Sequence, residues 1–522
     1  MNKTVLTLTI ANLVNCNVFT GVAQQSKKTN LLFIMTDQQR FDGMSCAGNL
    51  NIKTPNMDRL AREGVMFVNT YSANPVCVPS RAVLLTGLTS CNVKVESNGD
   101  YTSENVPDVP TFDHLLKGNG YAAEYYGKWH TPYKFTECYD NDVNPIGNDF
   151  PVPHIIEAFQ EWLKNKGLTK REPEKGELYS GRYNRPYKPV KLDYSYDKAS
   201  LGTDAKMKLK AGQSTQYGCV DIPANLSYAS YNTEQTLDAL ERLKDGAFTL
   251  TCSFDPPHPP FVVHEPYYSM YPPKDIPVPK SINDPLNDSP YKNRGNAKNE
   301  LPYKDAENIR NMRSIYYGMI SEIDDKLGEI LDKLDELGLA ENTLVIFTSD
   351  HGEMLGDHGM HSKSIFYEGG VHVPLLMRFP KKIKAGTVVE EPVSTMDVFP
   401  TILDYMLMPV PKCDGISLRP FIEGNPVEHV VVSYSPGGNS PNYMVRVGKL
   451  KLMMAQKADS KNVDALYDLE ADPLEMRNLI VSPTSPKKNR QQALEMKAHL
   501  VSWMEKHEPY KATDLIKREI FQ

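Results

Sequence analysis

The segment Cys77-Val-Pro-Ser-Arg-Ala-Val-Leu-Leu-Thr-Gly87 places a nucleophilic thiol close to a permanent cation. Pro79 is typical of the first turn of a helix, so Cys77 is expected near a helix N-terminus. The helix dipole and free N–H groups favour an anion at that position. Arg81, one turn later, adds planar donors that suit an oxyanion. The spacing therefore predicts chemistry on an oxyanion, although a cysteine considered alone is more often a core residue.

Two apolar segments of the chain end in an aspartate that is followed by a second polar residue. Residues 31–36 lead into Asp37-Gln38, and residues 343–349 lead into Asp350-His351. Continuous apolar runs of this length predict strands that are buried on both faces of an α/β sheet. Such sheets bind ligands at the carboxyl ends of their strands, so the two strand ends predict one shared site. The alternative is that each aspartate only forms a turn.

These motifs occur with several others in an order that resembles the sulfatase family of the alkaline phosphatase superfamily. The resemblance covers nearly the whole chain after residue 23. It rests on residues 30–40, 54–64, 77–87, Gly127-Lys-Trp-His130, Pro257-His-Pro-Pro260, 348–352, 356–359, Lys363 and Tyr367-Glu368. It implies an α/β fold with a large central, mostly parallel or mixed β-sheet flanked by helices. A smaller C-terminal α+β subdomain would contain an antiparallel sheet.

The resemblance also implies a metal site beside a modified residue. Cys77 would be oxidised to formylglycine (3-oxoalanine), an aldehyde. The implied ligands of one divalent ion are residue 77, Asp37, Gln38, Asp350 and His351. Mostly oxygen ligands suit Ca²⁺, the family's usual ion, or Mg²⁺, whereas zinc would recruit more His and Cys. Many relatives have a second Asp at the position of Gln38, and others have Asn at the position of His351.

The catalytic residues implied by the resemblance surround the sulfate group. Hydrated formylglycine would attack sulfur in line and expel an alcohol, while Lys128 and Lys363 neutralise the sulfate oxygens. His258 would protonate the leaving alcohol, and His130 would take a proton from the remaining hydroxyl so that sulfate leaves. The full implied set is Cys77, Arg81, Lys128, His130, His258 and Lys363. His358 and His361 lie near Lys363 in the sequence, so they are further candidates for supporting the site or contacting substrate.

The function implied by this resemblance is a sulfuric ester hydrolase. The substrate would be a sulfated saccharide from a glycosaminoglycan, a mucin or an algal glycan, and a sulfatase-maturating enzyme would act on Cys77. One alternative is a phosphonate or phosphate ester hydrolase of the same superfamily, because sulfate and phosphate esters share tetrahedral geometry. Another is a non-catalytic glycan-binding protein that has kept the scaffold.

Composition limits the partners of this chain of 522 residues. Its formal net charge is −7, so binding of nucleic acid by an overall basic surface is disfavoured, and an anionic substrate must meet a local cluster of cations. No internal stretch approaches the roughly 20 apolar residues that span a bilayer. The cysteines other than Cys16 and Cys77 are irregularly spaced, which disfavours a zinc site and leaves any disulfide pairing unreadable.

The N-terminus predicts export. Residues 1–23 are expected to form a signal peptide, with Lys3 before a short apolar region and small residues Gly21 and Ala23 before the cleavage point. We therefore expect a periplasmic protein, with lipid anchoring at Cys16 as the alternative.

The rest of the chain divides into two predicted parts. Residues 28–425 would form the catalytic domain, with insertions at about 150–220 and 265–305 that are rich in Pro, Lys, Tyr and Asn. An apolar stripe over residues 315–334 predicts a helix that ends at Gly338. Short strand patterns at 430–434, 443–447 and 450–454 predict an antiparallel sheet in a C-terminal subdomain of residues 426–522.

Overall fold

The structure is a computed structural model that describes most of the chain after residue 27. The described residues are 28–102, 105–133, 138–140, 153–168, 171, 178–180, 185–189, 217–292, 305–438 and 440–520. The predicted signal peptide, Cys16 and parts of both predicted insertions lie outside these residues.

Strands of the described residues form four sheets. Their bounds are β1 Asn30–Thr36, β2 Val65–Phe67, β3 Thr70–Tyr71, β4 Ala122–Gly127, β5 Leu178–Ser180, β6 Arg185–Pro189, β7 Tyr217–Val220, β8 Phe248–Phe254, β9 Phe261–Val263, β10 Thr343–Ser349, β11 Leu375–Arg378, β12 Thr387–Val389, β13 Val393–Ser394, β14 Val431–Tyr434, β15 Tyr443–Val447, β16 Leu450–Met454 and β17 Ala465–Asp468.

The central sheet has seven strands in the order β12-β2-β11-β10-β1-β8-β4. Strands β10, β1, β8 and β4 run parallel, whereas β11 is antiparallel to both β10 and β2. Thr36, the last residue of β1, pairs with Ser349 on one side and Phe254 on the other. The parallel strands therefore end at one level, and the residues that follow them share one edge of the sheet. This confirms the predicted large, mostly parallel sheet.

Helices cover both faces of this sheet. The helices of the described residues, including those that pack elsewhere, are Pro55–Glu63, Cys77–Thr86, Phe112–Gly118, Pro153–Asn165, Tyr228–Leu243, Tyr267–Met270, Ala306–Glu336, Glu368–Val371, Val398–Tyr405, Arg419–Ile422, Lys487–His507 and Pro509–Lys517. The helix Ala306–Glu336 contains the predicted apolar stripe, and Gly338 follows it with a left-handed φ of 65°.

Successive residues of β1 point to opposite faces of the central sheet and enter two different cores. Leu32 and Ile34 pack with residues of the helices Ala306–Glu336 and Tyr228–Leu243. Leu31 and Phe33 pack with residues of the helices Phe112–Gly118 and Val398–Tyr405 on the other face. The continuous apolar pattern of β1 follows from burial on both faces.

A second, antiparallel sheet lies near the C-terminus. It has the order β14-β15-β16-β17, and its apolar residues pack against the helix Lys487–His507. This confirms the predicted C-terminal antiparallel sheet, while the boundary at residue 425 stays a prediction. The described part of the first insertion forms a helix and the strands β5, β6 and β7, which join β9 in a further sheet. The weak periodicity of that region did not predict these elements.

Two further observations concern the cysteines and the helices. All seven cysteines among the described residues are free thiols. Within the same residues, no helix combines the length and the apolar character that crossing a membrane requires.

Candidate active site

The helix Cys77–Thr86 is buried along its whole length and lies against the end of β10. Two of its side chains bind Asp350: Ser80 Oγ donates to the Asp350 carbonyl at 2.5 Å, and Arg81 Nε donates to Asp350 Oδ2 at 2.9 Å. Gly87 ends the helix with φ 66°, where a Cβ would lie 2.8 Å from the Phe399 ring. The short motif thus holds Cys77 beside a strand end.

At the start of this helix, the backbone N–H groups of Val78 and Ser80 are hydrogen-bonded, whereas the sequence predicted free N–H groups there. The Val78 N–H donates to Asn98 Oδ1 at 3.1 Å, and the Ser80 N–H donates to the Val76 carbonyl at 2.9 Å. Pro79 has no N–H to offer. Side-chain cations, rather than these backbone amides, therefore provide the positive charge near Cys77.

Two strand ends bring four potential ligands together at Cys77. The Sγ atom of Cys77, carboxylate oxygens of Asp37 and Asp350 and a ring nitrogen of His351 lie within 4.8 Å of one another, and all four residues are buried. His351 Nε2 is 3.1 Å from Cys77 Sγ, while its Nδ1 is 2.9 Å from the Gly352 carbonyl. Because a carbonyl only accepts, the neutral ring carries its proton on Nδ1, and the Nε2 lone pair faces the cluster.

Gln38 lies at the edge of this group in a left-handed conformation, with φ 73°. Its backbone N–H donates to Asp350 Oδ1 at 3.0 Å. Its side-chain Oε1 accepts from Lys363 Nζ at 3.1 Å, and its Nε2 donates to Glu353. The amide oxygen of Gln38 is therefore on the side of Lys363, whose Nζ is 2.8 Å from Cys77 Sγ.

Three cations surround the acidic residues of the site. Lys128 Nζ is 2.7 Å from Asp37 Oδ2 and 3.2 Å from Asp255 Oδ1. Arg81 Nη2 is 3.2 Å from Asp37 Oδ2. Lys363 is the third cation. We call the whole group the strand-end cluster; it consists of Cys77 with Asp37, Asp255, Asp350, Arg81, Lys128 and Lys363.

Two imidazoles, those of His130 and His258, complete the surroundings of Cys77 and interact with its side chain. Burial lowers the pKa of both histidines, and in His258 the neighbouring Lys128 and Lys363 lower the pKa further. His258 Nδ1 is 2.7 Å from the Pro259 carbonyl, so the proton of the neutral ring belongs on Nδ1. Both rings are therefore neutral near pH 7 as long as no further charged group is bound beside them.

Crowding of like charges sets the protonation of the acidic groups. Burial and the neighbouring Asp37 raise the pKa of Asp350 to about 7. Burial would also raise the pKa of Asp37, but Lys128 and the other cations hold it well below its usual range. Burial and Asp37 oppose ionisation of Cys77, yet Lys363 and His351 hold the thiol pKa well below its ordinary value. Two buried carboxylates, a buried imidazole nitrogen and an amide oxygen form a donor set that fits a divalent cation.

The two remaining predicted histidines lie differently. His358 Nδ1 is 2.6 Å from Asp284 Oδ2, and the ring stacks on Tyr367 with centroids 3.9 Å apart. His361 is partly exposed and lies two residues before Lys363. Their proposed contact with substrate stays a prediction.

Sequence reasoning missed Asp255 and Glu353. Asp255 follows β8, so it repeats the pattern of Asp37 after β1 and Asp350 after β10, and that pattern could have identified it. Glu353 accepts from Gln38 Nε2, and its position after β10 carried no distinguishing signal.

Several known proteins are similar to this chain. A family model described as Sulfatase matches residues 29–408, and a second, described as N-sulphoglucosamine sulphohydrolase, C-terminal, matches residues 356–505. An arylsulfatase of Clostridium perfringens is 30% identical over 470 residues, covering 87% of this chain and 91% of that protein. An N-acetylglucosamine-6-O-sulfatase of Bacteroides thetaiotaomicron is 27% identical, covering 94% and 89%.

Solved structures show the same fold. A phosphonate monoester hydrolase of Agrobacterium radiobacter superposes with a TM-score of 0.73 at 25% identity, covering 92% of this chain and 96% of that one. The family model spans well over half of the sequence. The chain therefore belongs to the sulfatase family and is a sulfuric ester hydrolase.

Proposed function

We propose that this enzyme removes sulfate from a sulfated carbohydrate, using formylglycine at position 77 and one divalent ion, with Ca²⁺ as the first choice and Mg²⁺ as the alternative. The observation that supports this most is the convergence of three cations, two carboxylates and three imidazoles on one buried side chain. In this structure Cys77 Sγ stands in for the hydroxyl oxygen of hydrated formylglycine. The carbohydrate substrate is suggested by the Bacteroides relative, whose name specifies a sulfated amino sugar.

The proposed ligands of the ion are residue 77, Asp37, Gln38, Asp350 and His351. When bound, the ion would neutralise the crowded carboxylates and polarise oxygens of the sulfate group. Lys363 lies 2.8 Å from Cys77 Sγ, and Lys128 bridges Asp37 and Asp255, so both amines are placed to neutralise negative charge on a sulfate near residue 77. Arg81 bridges Asp37 and Asp350 and holds the two acids in place.

On hydration, formylglycine would supply two geminal hydroxyls. The bound ion and Arg81 would favour loss of the proton of one hydroxyl to solvent so that its oxygen attacks sulfur, and the other hydroxyl would later allow sulfate to leave. His258 is proposed to protonate the alcohol oxygen as the S–O bond breaks. A bound sulfate ester adds a negative charge beside this buried ring, which would raise its pKa toward the range that a general acid needs. His130 is proposed to accept a proton from the remaining hydroxyl of residue 77. The products are an alcohol, inorganic sulfate and the restored aldehyde.

A phosphonate or phosphate ester hydrolase is the second candidate, and the structural similarity to the Agrobacterium enzyme favours it. Turnover of 4-nitrophenyl sulfate should be compared with turnover of 4-nitrophenyl phosphate and of an aryl phosphonate. A larger kcat/KM for either phosphorus ester would make sulfate hydrolysis the side activity.

Export and maturation belong to the same proposal. Residues 1–23 would direct the protein to the periplasm, with a lipid anchor at Cys16 as the alternative, and a maturating enzyme would oxidise Cys77. Mass spectrometry of the mature N-terminus distinguishes cleavage after Ala23 from lipidation of Cys16. Conversion of Cys77 to formylglycine lowers the mass of its peptide by about 18 Da.

The decisive experiment measures sulfate released from defined sulfated mono- and disaccharides by protein whose formylglycine content is known. We expect release from at least one amino sugar or uronic acid sulfate. Full conversion of Cys77 together with no release from any saccharide, while aryl sulfate is turned over, would argue against a carbohydrate substrate. An unmodified thiol in protein purified from its native host would contradict the formylglycine mechanism.

A further inference from the structure

Glu353 is a buried carboxylate, 1% exposed, that lies behind Gln38. One oxygen, Oε2, accepts from Gln38 Nε2. The other, Oε1, accepts from the backbone N–H of Leu355 at 3.2 Å and from the backbone N–H of Ser362. All of these partners are donors, which an ionised carboxylate requires.

The contact with Glu353 decides which way the Gln38 amide faces. An ionised carboxylate can only accept, so it selects the NH₂ end of the amide and turns the carbonyl oxygen away from itself. That oxygen then accepts from Lys363 Nζ at 3.1 Å, on the side of Cys77. A negative acceptor on the NH₂ end also increases the electron density on the amide oxygen, which makes it a better ligand.

The same carboxylate anchors the loop that carries Lys363. Ser362 and Ser364, on either side of this lysine, both have left-handed backbones, with φ 68° and 63°. Such conformations persist only where surrounding contacts hold them. The Ser362 N–H donates to Glu353, and the Ser362 carbonyl accepts from the Met354 N–H at 3.1 Å. Glu353 thus reaches both Gln38 and the loop of Lys363 from one buried position.

We infer that Glu353 is a positioning residue that aims the Gln38 carbonyl oxygen at the metal site and fixes the loop of Lys363. The inference rests on the proposed metal site. This chain has a neutral glutamine, Gln38, where many relatives have Asp. Glu353 supplies a carboxylate that is hydrogen-bonded to this proposed ligand. Partners of this kind commonly change metal affinity by about 10- to 100-fold when they are mutated.

The test titrates metal-depleted protein with Ca²⁺ and, in parallel, Mg²⁺ by calorimetry, which needs no turnover. Glu353→Gln keeps the shape of the side chain but lets either end of the Gln38 amide face it. We expect a loss of affinity of about 10- to 100-fold. Glu322→Gln, which neutralises a glutamate that is also buried (3% exposed) but lies in the helix Ala306–Glu336, should stay within about twofold.

A double-mutant cycle separates positioning from a general structural effect. In a Gln38→Ala background, Glu353→Gln should change affinity by no more than about threefold, because the amide that it orients is absent. Wild-type affinity in Glu353→Gln, or an undiminished loss in the Gln38→Ala background, overturns the inference. If Glu353→Gln does not fold, Glu353→Asp takes its place, since a shorter carboxylate should also weaken binding.

The wild-type titration distinguishes failure of this inference from failure of the proposed function. A wild-type protein that binds neither ion overturns both the metal site and the role of Glu353. A wild-type protein that binds an ion but releases no sulfate contradicts only the proposed function, and the comparison of variants still decides the role of Glu353.

Discussion

Two groups of buried charges in this protein are arranged on different principles. The strand-end cluster gathers three cations and three aspartates around Cys77. The second group, which we call the subdomain cluster, contains Lys451 of β16 with its partners Glu368 and Glu475. It also contains Arg518 with its partner Asp464. Lys451 Nζ is 2.7 Å from Glu368 and 2.8 Å from Glu475, and its side chain is 0% exposed.

In the subdomain cluster each cation is matched by its own acceptors. Arg518 binds Asp464 at 2.9 Å and also donates to the backbone carbonyls of Lys457, Ser460 and Asn462. In the strand-end cluster, by contrast, three cations act on one buried thiol, and Lys128 lies close enough to Lys363 to oppose its positive charge. Removing one partner of a matched buried pair is expected to destabilise the fold, whereas several cations gathered at one reactive side chain indicate a site prepared for an anionic ligand.

The largest expected effect comes from removing the centre of the strand-end cluster. Cys77→Ala should lower aryl sulfate turnover on the order of 10⁴-fold or more, because no nucleophile remains. Circular dichroism and the melting temperature should change little. Cys77→Ser should behave in the same way unless the host's maturation system accepts serine. Turnover by the alanine variant within tenfold of wild type would exclude residue 77 as nucleophile.

Removing one cation of the strand-end cluster should affect catalysis more than stability. Lys363→Met is expected to lower kcat by about 10²- to 10³-fold, because charge that develops on the sulfate group loses a donor. Lys363 is partly exposed, so the free energy of unfolding should change little. Steady-state kinetics and urea denaturation of the same preparation measure both quantities. A large loss of stability with kcat unchanged would make Lys363 a structural residue.

The matched change in the subdomain cluster should show the reverse. Lys451→Met leaves Glu368 and Glu475 buried side by side, which is expected to lower the free energy of unfolding by about 3–5 kcal/mol. Burial raises the pKa of Glu475, and it would raise that of Glu368 if Lys451 did not hold it low. Without Lys451 one of the two carboxylates should take up a proton more readily. The loss in free energy of unfolding relative to wild type should therefore become smaller as pH falls. The kcat of folded protein should stay close to wild type.

The smallest expected effect concerns a histidine that belongs to neither group. His429 Nε2 is 2.8 Å from Asp397 Oδ2; burial would lower the pKa of His429, but Asp397 raises it above its ordinary value. Because the folded-state pKa of His429 is raised, the His429–Asp397 pair contributes its full stabilisation below the unfolded pKa of about 6.5. This stabilisation is lost as pH rises through the folded-state pKa. His429→Gln should therefore lower the free energy of unfolding by on the order of 1 kcal/mol at pH 6 and by less at pH 9. Equal losses at both pH values would contradict this.

Local pattern was enough to predict much of the molecule. Apolar runs that end in Asp37 and Asp350 predicted β1 and β10, because a strand buried on both faces carries apolar side chains at successive positions. The stripe of the helix Ala306–Glu336 and the short strands of the C-terminal sheet were also predicted. The pattern failed for the first insertion, where β5, β6 and β7 lack a regular alternation of apolar residues.

Local motifs such as Cys77–Gly87 specify the chemical types at the site and their order along the chain, because they need no distant contact. The packing of the sheet and helices then sets which of these groups meet. The parallel alignment of β10, β1 and β8 brings Asp350, Asp37 and Asp255 to one edge, although they are far apart in sequence. Burial then shifts the pKa values, and Glu353 turns the amide of Gln38. Such effects depend on distances and exclusion of water, which only packing creates.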